Sequence, residues 1–171
     1  MIRLLVLMLI ALSLLMGCRK DFTTVERVEL DKFMGSWYVI AILPNFMEKN
    51  AANGIETYTL LEDGTIGVTY KFRKGGVDGK EKLLTPHGKV YNKESNAEWR
   101  MQLLKPFWSP FLIVDLAEDY RYTAIGVPNR KFVWIMSRTP QMSESDYAGV
   151  IAKLQQEGYN TAKIVKMPQV W

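Results

Sequence analysis

DKFMGSWYVIA, residues 31–41, is the stretch on which the fold turns. From Ser36 onward it is aromatic and aliphatic, without charge, until Pro44. Such a run suits a pleated, half-buried strand. Proline ends it, because it brings no backbone N–H to a ladder. The first strand is therefore predicted over residues 36–42, with Gly35-x-Trp37 at its start.

Working outward, the same kind of segment recurs between turn signals. Residues 54–61 form the next predicted strand, and Asp63-Gly64 makes the hairpin turn, since Asp-Gly tolerates positive φ. Residues 66–74 return. Gly75-Gly76 and Asp78-Gly79 mark the next turn, and residues 80–91 read as a longer strand bent at Pro86 or Gly88. Residues 97–104, 111–116, 121–127 and 132–137 complete a set of eight strands in hairpin order. The period then changes. Tyr147, Val150, Ile151 and Leu154 fall at helical spacing, behind a capping-box-like Ser143 and Asp146 and ahead of Gly158. Residues 164–167 suit a last short strand. An open row of eight antiparallel strands leaves two adhesive edges, and closing it removes them. The expected fold is all-β: an eight-stranded antiparallel up-and-down barrel with a C-terminal α-helix packed outside. Eight strands leave room for one small ligand.

The chain has 171 residues, 48% hydrophobic and 23% charged, which suits a single domain with a real core. The net charge of +4 is scattered, with no basic block, so a nucleic-acid partner is not expected. At the N-terminus Arg3 precedes an apolar run over residues 4–16, too short to span a bilayer, which needs about 20 residues. A charged start, a short apolar run and small residues describe an export signal. Cys18 follows it and is the only cysteine, so it has no disulfide partner within the chain.

Leu15-Met16-Gly17-Cys18 resembles the bacterial lipobox, apart from Met16 where Ala or Ser is usual. The resemblance implies cleavage of residues 1–17 as a lipoprotein signal peptide and acylation of Cys18 with palmitate-like chains. Residues 18–24 would be the lipidated terminus and linker, and residues 25–171 the domain. Arg19 stands where Asp retains such proteins at the inner membrane, so the resemblance implies the outer membrane, at its periplasmic face.

Three short motifs carry a second resemblance. Gly35-x-Trp37, Asp119-Tyr120 and Arg138 at the end of WIMSRTP occur in the order and spacing of the lipocalin motifs. With the lipobox they resemble the bacterial outer-membrane lipocalins over essentially the whole chain. Glu118 departs from the family, standing where Thr is common. The resemblance implies that Trp37 plugs the closed end of the barrel and that Arg138 lies across it. Both roles are structural.

Catalytic chemistry finds little support. His87 is the only histidine, and no nucleophile pattern, metal-ligand spacing or phosphate loop accompanies it. Neither an enzyme nor a cofactor is expected. An apolar cup is the better candidate. Alternation puts Val68, Tyr70 and Phe72 on one face, opposite Thr69, Lys71 and Arg73. It likewise separates Trp99, Met101 and Leu103 from Glu98, Arg100 and Gln102. With Trp37 and Arg138 inward by family analogy, Val39, Ala41, Trp134 and Met136 also point inward. On the sixth strand Phe111 and Ile113 are assigned inward. By resemblance Tyr58 points inward, with Glu56 inside or at the rim.

These residues predict a membrane-anchored lipocalin, monomeric or weakly dimeric, that binds and carries a lysophospholipid or fatty acid in envelope maintenance or stress. Two rivals stand beside it. One is an enzyme acting on a lipophile, with Glu56 and Tyr58 or Tyr70 as its acid/base set. The other is a structural envelope lipoprotein with a filled barrel. PFWSPF, residues 106–111, admits two readings: a lipid contact at the barrel mouth, or a staple for its own loop.

Overall fold

The computed structural model describes residues 22–171, so the export signal and Cys18 lie outside the described residues. A short helix, α1 (Leu30–Phe33), precedes β1 (Gly35–Ile42). Then come β2 (Ala52–Leu60), β3 (Ile66–Lys74), β4 (Lys80–Leu84), β5 (His87–Val90), β6 (Glu98–Gln102), β7 (Ser109–Leu116), β8 (Tyr122–Gly126) and β9 (Val133–Ser137). Helix α2 (Glu144–Gln156), a 3₁₀ turn (Thr161–Lys163) and β10 (Val165–Lys166) complete the described chain.

Neighbours pair antiparallel in the order β1-β2-β3-β5-β6-β7-β8-β9, with β4 also on β3, and β1 pairs with β9 to close the row into a barrel. The predicted strand over residues 80–91 is broken in two. Both parts pair with β3: β4 against Tyr70 to Lys74, β5 against Ile66 and Gly67. Thr85-Pro86 interrupts the run, and the missing proline N–H is the physical reason. The two parts count as one stave, so eight staves enclose the interior.

Side-chain alternation divides the core. Trp37, Val39, Val68, Tyr70, Phe72, Trp99, Phe111, Ile113 and Met136 pack together inside the barrel. Leu112, Val114, Ala124 and Ile135, from the opposite strand faces, pack with Val150 and Leu154 of α2. Ala41, expected inward, belongs to this outer group, while Ile42 lies inside. The β1–β9 register slips between Val39 and Ala41, and a one-residue bulge exchanges the two faces beyond it. Helix α2 starts where expected: the Ser143 side chain accepts a hydrogen bond from the Asp146 N–H at 3.1 Å. Gly158 follows its end at φ +84°.

The closed end is built from the sequence motifs. The Arg138 guanidinium lies 3.7 Å from the Trp37 ring centroid. It donates to the carbonyls of Ser36 at 2.9 Å, Lys32 at 2.6 Å and Phe33 at 3.1 Å. Burial pulls its pKa down from the usual guanidinium value. Gly35 has φ +91°, a conformation that favours glycine, and it sits beside the Arg138 guanidinium. Tyr120, at φ +59°, accepts the Glu29 N–H on its hydroxyl at 2.8 Å and so moors the approach to α1. Asp119 accepts from Arg121 at 2.9 Å, and Arg121 reaches Asp146 of α2 at 2.7 Å.

The C-terminal segment fills a split in the wall. β2 pairs with β1 only from Gly35 to Tyr38, and β10 takes up the pairing at Ala41 and Ile42. The Gln169 side-chain amide donates to Val39 of β1 at 2.7 Å and to Gly54 of β2 at 3.2 Å.

Candidate ligand-binding site

The end away from α1 opens into a cavity of about 240 Å³. Its wall is Val68 and Tyr70 of β3, Met101 of β6, Phe111 of β7 and Trp134 of β9, with Glu56 of β2 reaching in. These six were expected at a ligand site. Leu84, Pro86 and Leu103 add apolar surface, and Val127 with Phe132 borders the β8–β9 turn.

Four further residues expected to line the cup do not reach the open cavity. Tyr58, Trp99 and Ile113 lie below it as part of the packed interior. Phe33, from α1, drives its ring among them: its centroid stands 5.1 Å from Trp37, 5.5 Å from Tyr58 and 5.3 Å from Trp99. Trp99 stacks on Phe111 at 5.3 Å and donates its indole N–H to the Asn96 carbonyl at 2.8 Å. Phe72 is buried against Tyr70, with ring centroids 4.8 Å apart. The cup is therefore shallower than alternation alone implies. Alternation tells inside from outside; it does not tell floor from void.

The polar side of the cavity comes from a residue that sequence reasoning passed over. Beyond Pro44, the Asn45 side-chain oxygen accepts the N–H groups of Met47 at 3.0 Å and Glu48 at 3.1 Å. The Lys49 N–H bonds back to the Asn45 carbonyl at 2.9 Å. This tight turn aims Glu48 into the barrel, where it is 2% exposed. Its carboxylate accepts from the Tyr70 hydroxyl at 2.5 Å, the Trp134 indole at 3.0 Å and the Asn45 side-chain amide. An Asn-x-x-Glu spacing was available as a turn signal. Nothing in it says that the glutamate enters the barrel.

Glu56 is 8% exposed and accepts a hydrogen bond from the Tyr58 hydroxyl. Its carboxyl is pushed up to about 7, chiefly by burial; the Tyr58 bond pulls it down, and the Glu48 carboxylate adds to the rise. Burial and the neighbouring Glu48 and Glu56 charges push the Tyr70 phenol up as well. Among the described lining residues there is no Lys, Arg or His. The arrangement can hold an apolar body and offers acceptors, with the Tyr70 and Trp134 donors already engaged.

The mouth is ringed with uncovered apolar side chains. Phe46, Leu104 and Phe107 are among the most exposed large hydrophobic residues of the described chain. Trp108 instead lies against the outside of β5, 6.4 Å from the His87 ring and 4.4 Å from the Lys89 ammonium.

A lipocalin-like domain model matches residues 28–169. Temperature-induced lipocalin-1 of Arabidopsis thaliana is 31% identical over 163 residues, covering 88% of this chain and 84% of that protein. Outer membrane lipoprotein Blc of Citrobacter freundii is 28% identical over 152 residues, with the same two coverages. Blc of Vibrio cholerae is 24% identical and aligned over 96% of both chains. Among solved structures, insecticyanin of the tobacco hornworm Manduca sexta superposes with a TM-score of 0.67 at 18% identity, covering 86% of this chain and 84% of its own. Lobster apocrustacyanin A1 gives 0.66 at 16% identity, with 82% and 79% covered. The matched domain spans every barrel strand and both ends of the cup, and the chain belongs to the lipocalin family.

Proposed function

We propose that this protein is a membrane-anchored carrier of a hydrophobic ligand, a single-chain lipid of the size of a fatty acid or lysophospholipid. One observation carries the reading: an open, mostly apolar cavity in a lipocalin barrel, facing a mouth ringed by Phe46, Leu104 and Phe107. The cavity has room for on the order of eight water-sized groups, so a longer chain extends through the mouth.

The anchor is proposed at Cys18, with residues 1–17 removed and the outer membrane as destination, as the names of the Blc relatives suggest. Phe22 lies 6.1 Å from the Tyr159 ring and 5.4 Å from the guanidinium of Arg130, in the β8–β9 turn beside the cavity's Val127 and Phe132. Four residues of extended chain reach at most ~14 Å. Acylation at Cys18 then holds the mouth close to the lipid from which it loads.

Native mass spectrometry of the delipidated protein after exposure to lysophospholipid vesicles tests the reading. One lipid adduct per barrel is expected. A barrel that takes up no acyl chain at micromolar lipid overturns it. Metabolic labelling with palmitate should mark the wild type and spare Cys18→Ser; equal labelling of both removes the anchor.

A further inference from the structure

We infer that Glu48 and Glu56 make this cavity selective for a single-chain amphiphile whose buried polar end is an amine or alcohol, and set it against a carboxylate. The inference rests on the carrier reading and narrows it to a ligand class.

Both carboxyl groups line the same apolar cavity, one from the β1–β2 turn and one from β2. They are not equally engaged. Glu48 is held on both oxygens, by Tyr70, Trp134 and Asn45. Glu56 receives one hydrogen bond, from Tyr58 to Oε2, and among the described residues nothing donates to its other oxygen. No side-chain oxygen of the described chain is both fully sealed and unpartnered, so that second oxygen meets the cavity space. A carboxylate carries about four acceptor sites. An ammonium or hydroxyl group entering here finds an acceptor waiting.

A carboxylate entering the same place finds nothing. The Tyr58, Tyr70 and Trp134 donors already point at Glu48 and Glu56, no cation lines the cavity, and the one lining hydroxyl outside this set, Ser109, belongs to an exposed residue away from the two carboxyl groups. Its charge meets like charge in a poorly solvated site, where repulsion is least screened. Removing a ligand's charge from water without a partner is among the costliest steps in binding. The cavity thus favours an ammonium first, an alcohol second and a carboxylate last. The chain behind the head runs out along Val68, Met101 and Phe111 towards the mouth.

Three ligands of one chain length test this: decylamine, decanol and decanoate, titrated calorimetrically into the purified protein. At about pH 8 the amine is protonated and the acid ionised. Decylamine is expected to bind about tenfold tighter than decanoate, the ratio that one hydrogen bond to a charged group supports, with decanol between them. Glu56→Gln should bring decylamine to within about twofold of decanoate and leave decanol nearly unchanged. Should Glu56→Gln fail to fold, Glu48→Gln stands in: it removes one of the two like charges and keeps the Glu56 acceptor, so it should narrow the ratio by strengthening decanoate binding. Decanoate binding as tightly as decylamine in the wild type overturns the inference while the carrier reading stands. An amine preference that survives both substitutions overturns it too. Binding of none of the three removes the carrier reading, and this inference with it.

Discussion

The two ends of the barrel use the same kinds of side chain to opposite effect. At the closed end Trp37, Phe33, Tyr58 and Trp99 interlock, and Arg138 binds three backbone carbonyls over them. The polar atoms of Trp37, Tyr58 and Trp99 are each satisfied within the chain, and all four rings are buried. At the open end Tyr70, Trp134 and Phe111 stand around a void, and two carboxyl groups are buried where water is scarce. The closed end is organised for stability. The open end gives stability up, which is what a binding site in a folded protein looks like. Aromatic content alone does not separate the two; the partners of the polar atoms do.

The largest effect is expected at the plug. Trp37→Ala should destabilise the protein by about 3–5 kcal/mol, the range for losing a fully buried Trp, read from urea unfolding. A cost below about 1 kcal/mol would mean that the closed end is not the stability centre.

A smaller effect of distinctive shape is expected from Glu56. Its folded-state value of about 7 lies above its ordinary 4.5, so the folded protein holds this proton more tightly than the unfolded chain. Stability is therefore full below about 4.5, falls as pH rises to about 7, and is flat beyond. The fall is on the order of 3 kcal/mol. Glutamine does not titrate, so Glu56→Gln should gain on the wild type across that window and no further. Chemical denaturation of both proteins at stepped pH measures it. A difference that stays constant with pH would place the group in water.

The smallest stability effect belongs to the rim. Phe107→Ser should change unfolding free energy by within about 0.5 kcal/mol, because its ring is exposed. It should nonetheless slow transfer of a fluorescent lipid from vesicles to the barrel, measured by stopped flow. Unchanged transfer would leave the exposed ring without a part in loading.

Much of this architecture was legible in the residues. β3 and β6 alternate so cleanly that Val68, Tyr70, Trp99 and Met101 could be turned inward without a structure. The Ser143 cap and Gly158 framed α2. Ala41 was misplaced because a bulge is a shift of register between two strands, and one strand read alone does not display it. Tyr58 and Trp99 read as cavity wall because they face inward, but their depth depends on α1, a four-residue helix with too little periodicity to read. Glu48 was passed over because loops have no period. Its direction is set by Asn45 hydrogen bonds and by two aromatic donors from distant strands.

The C-terminal wedge has a consequence for how the molecule is made. Gln169 joins carbonyls of residues 39 and 54, so the wall between β1 and β2 stays gapped until residue 169 is in place. A chain emerging in order forms its hairpins first, because their contacts are local, and its seam last. Until then the partly made barrel presents an open edge, the condition in which β proteins aggregate. The seam closes across sequence separations of 130 and 115 residues, far longer than any hairpin contact in the barrel.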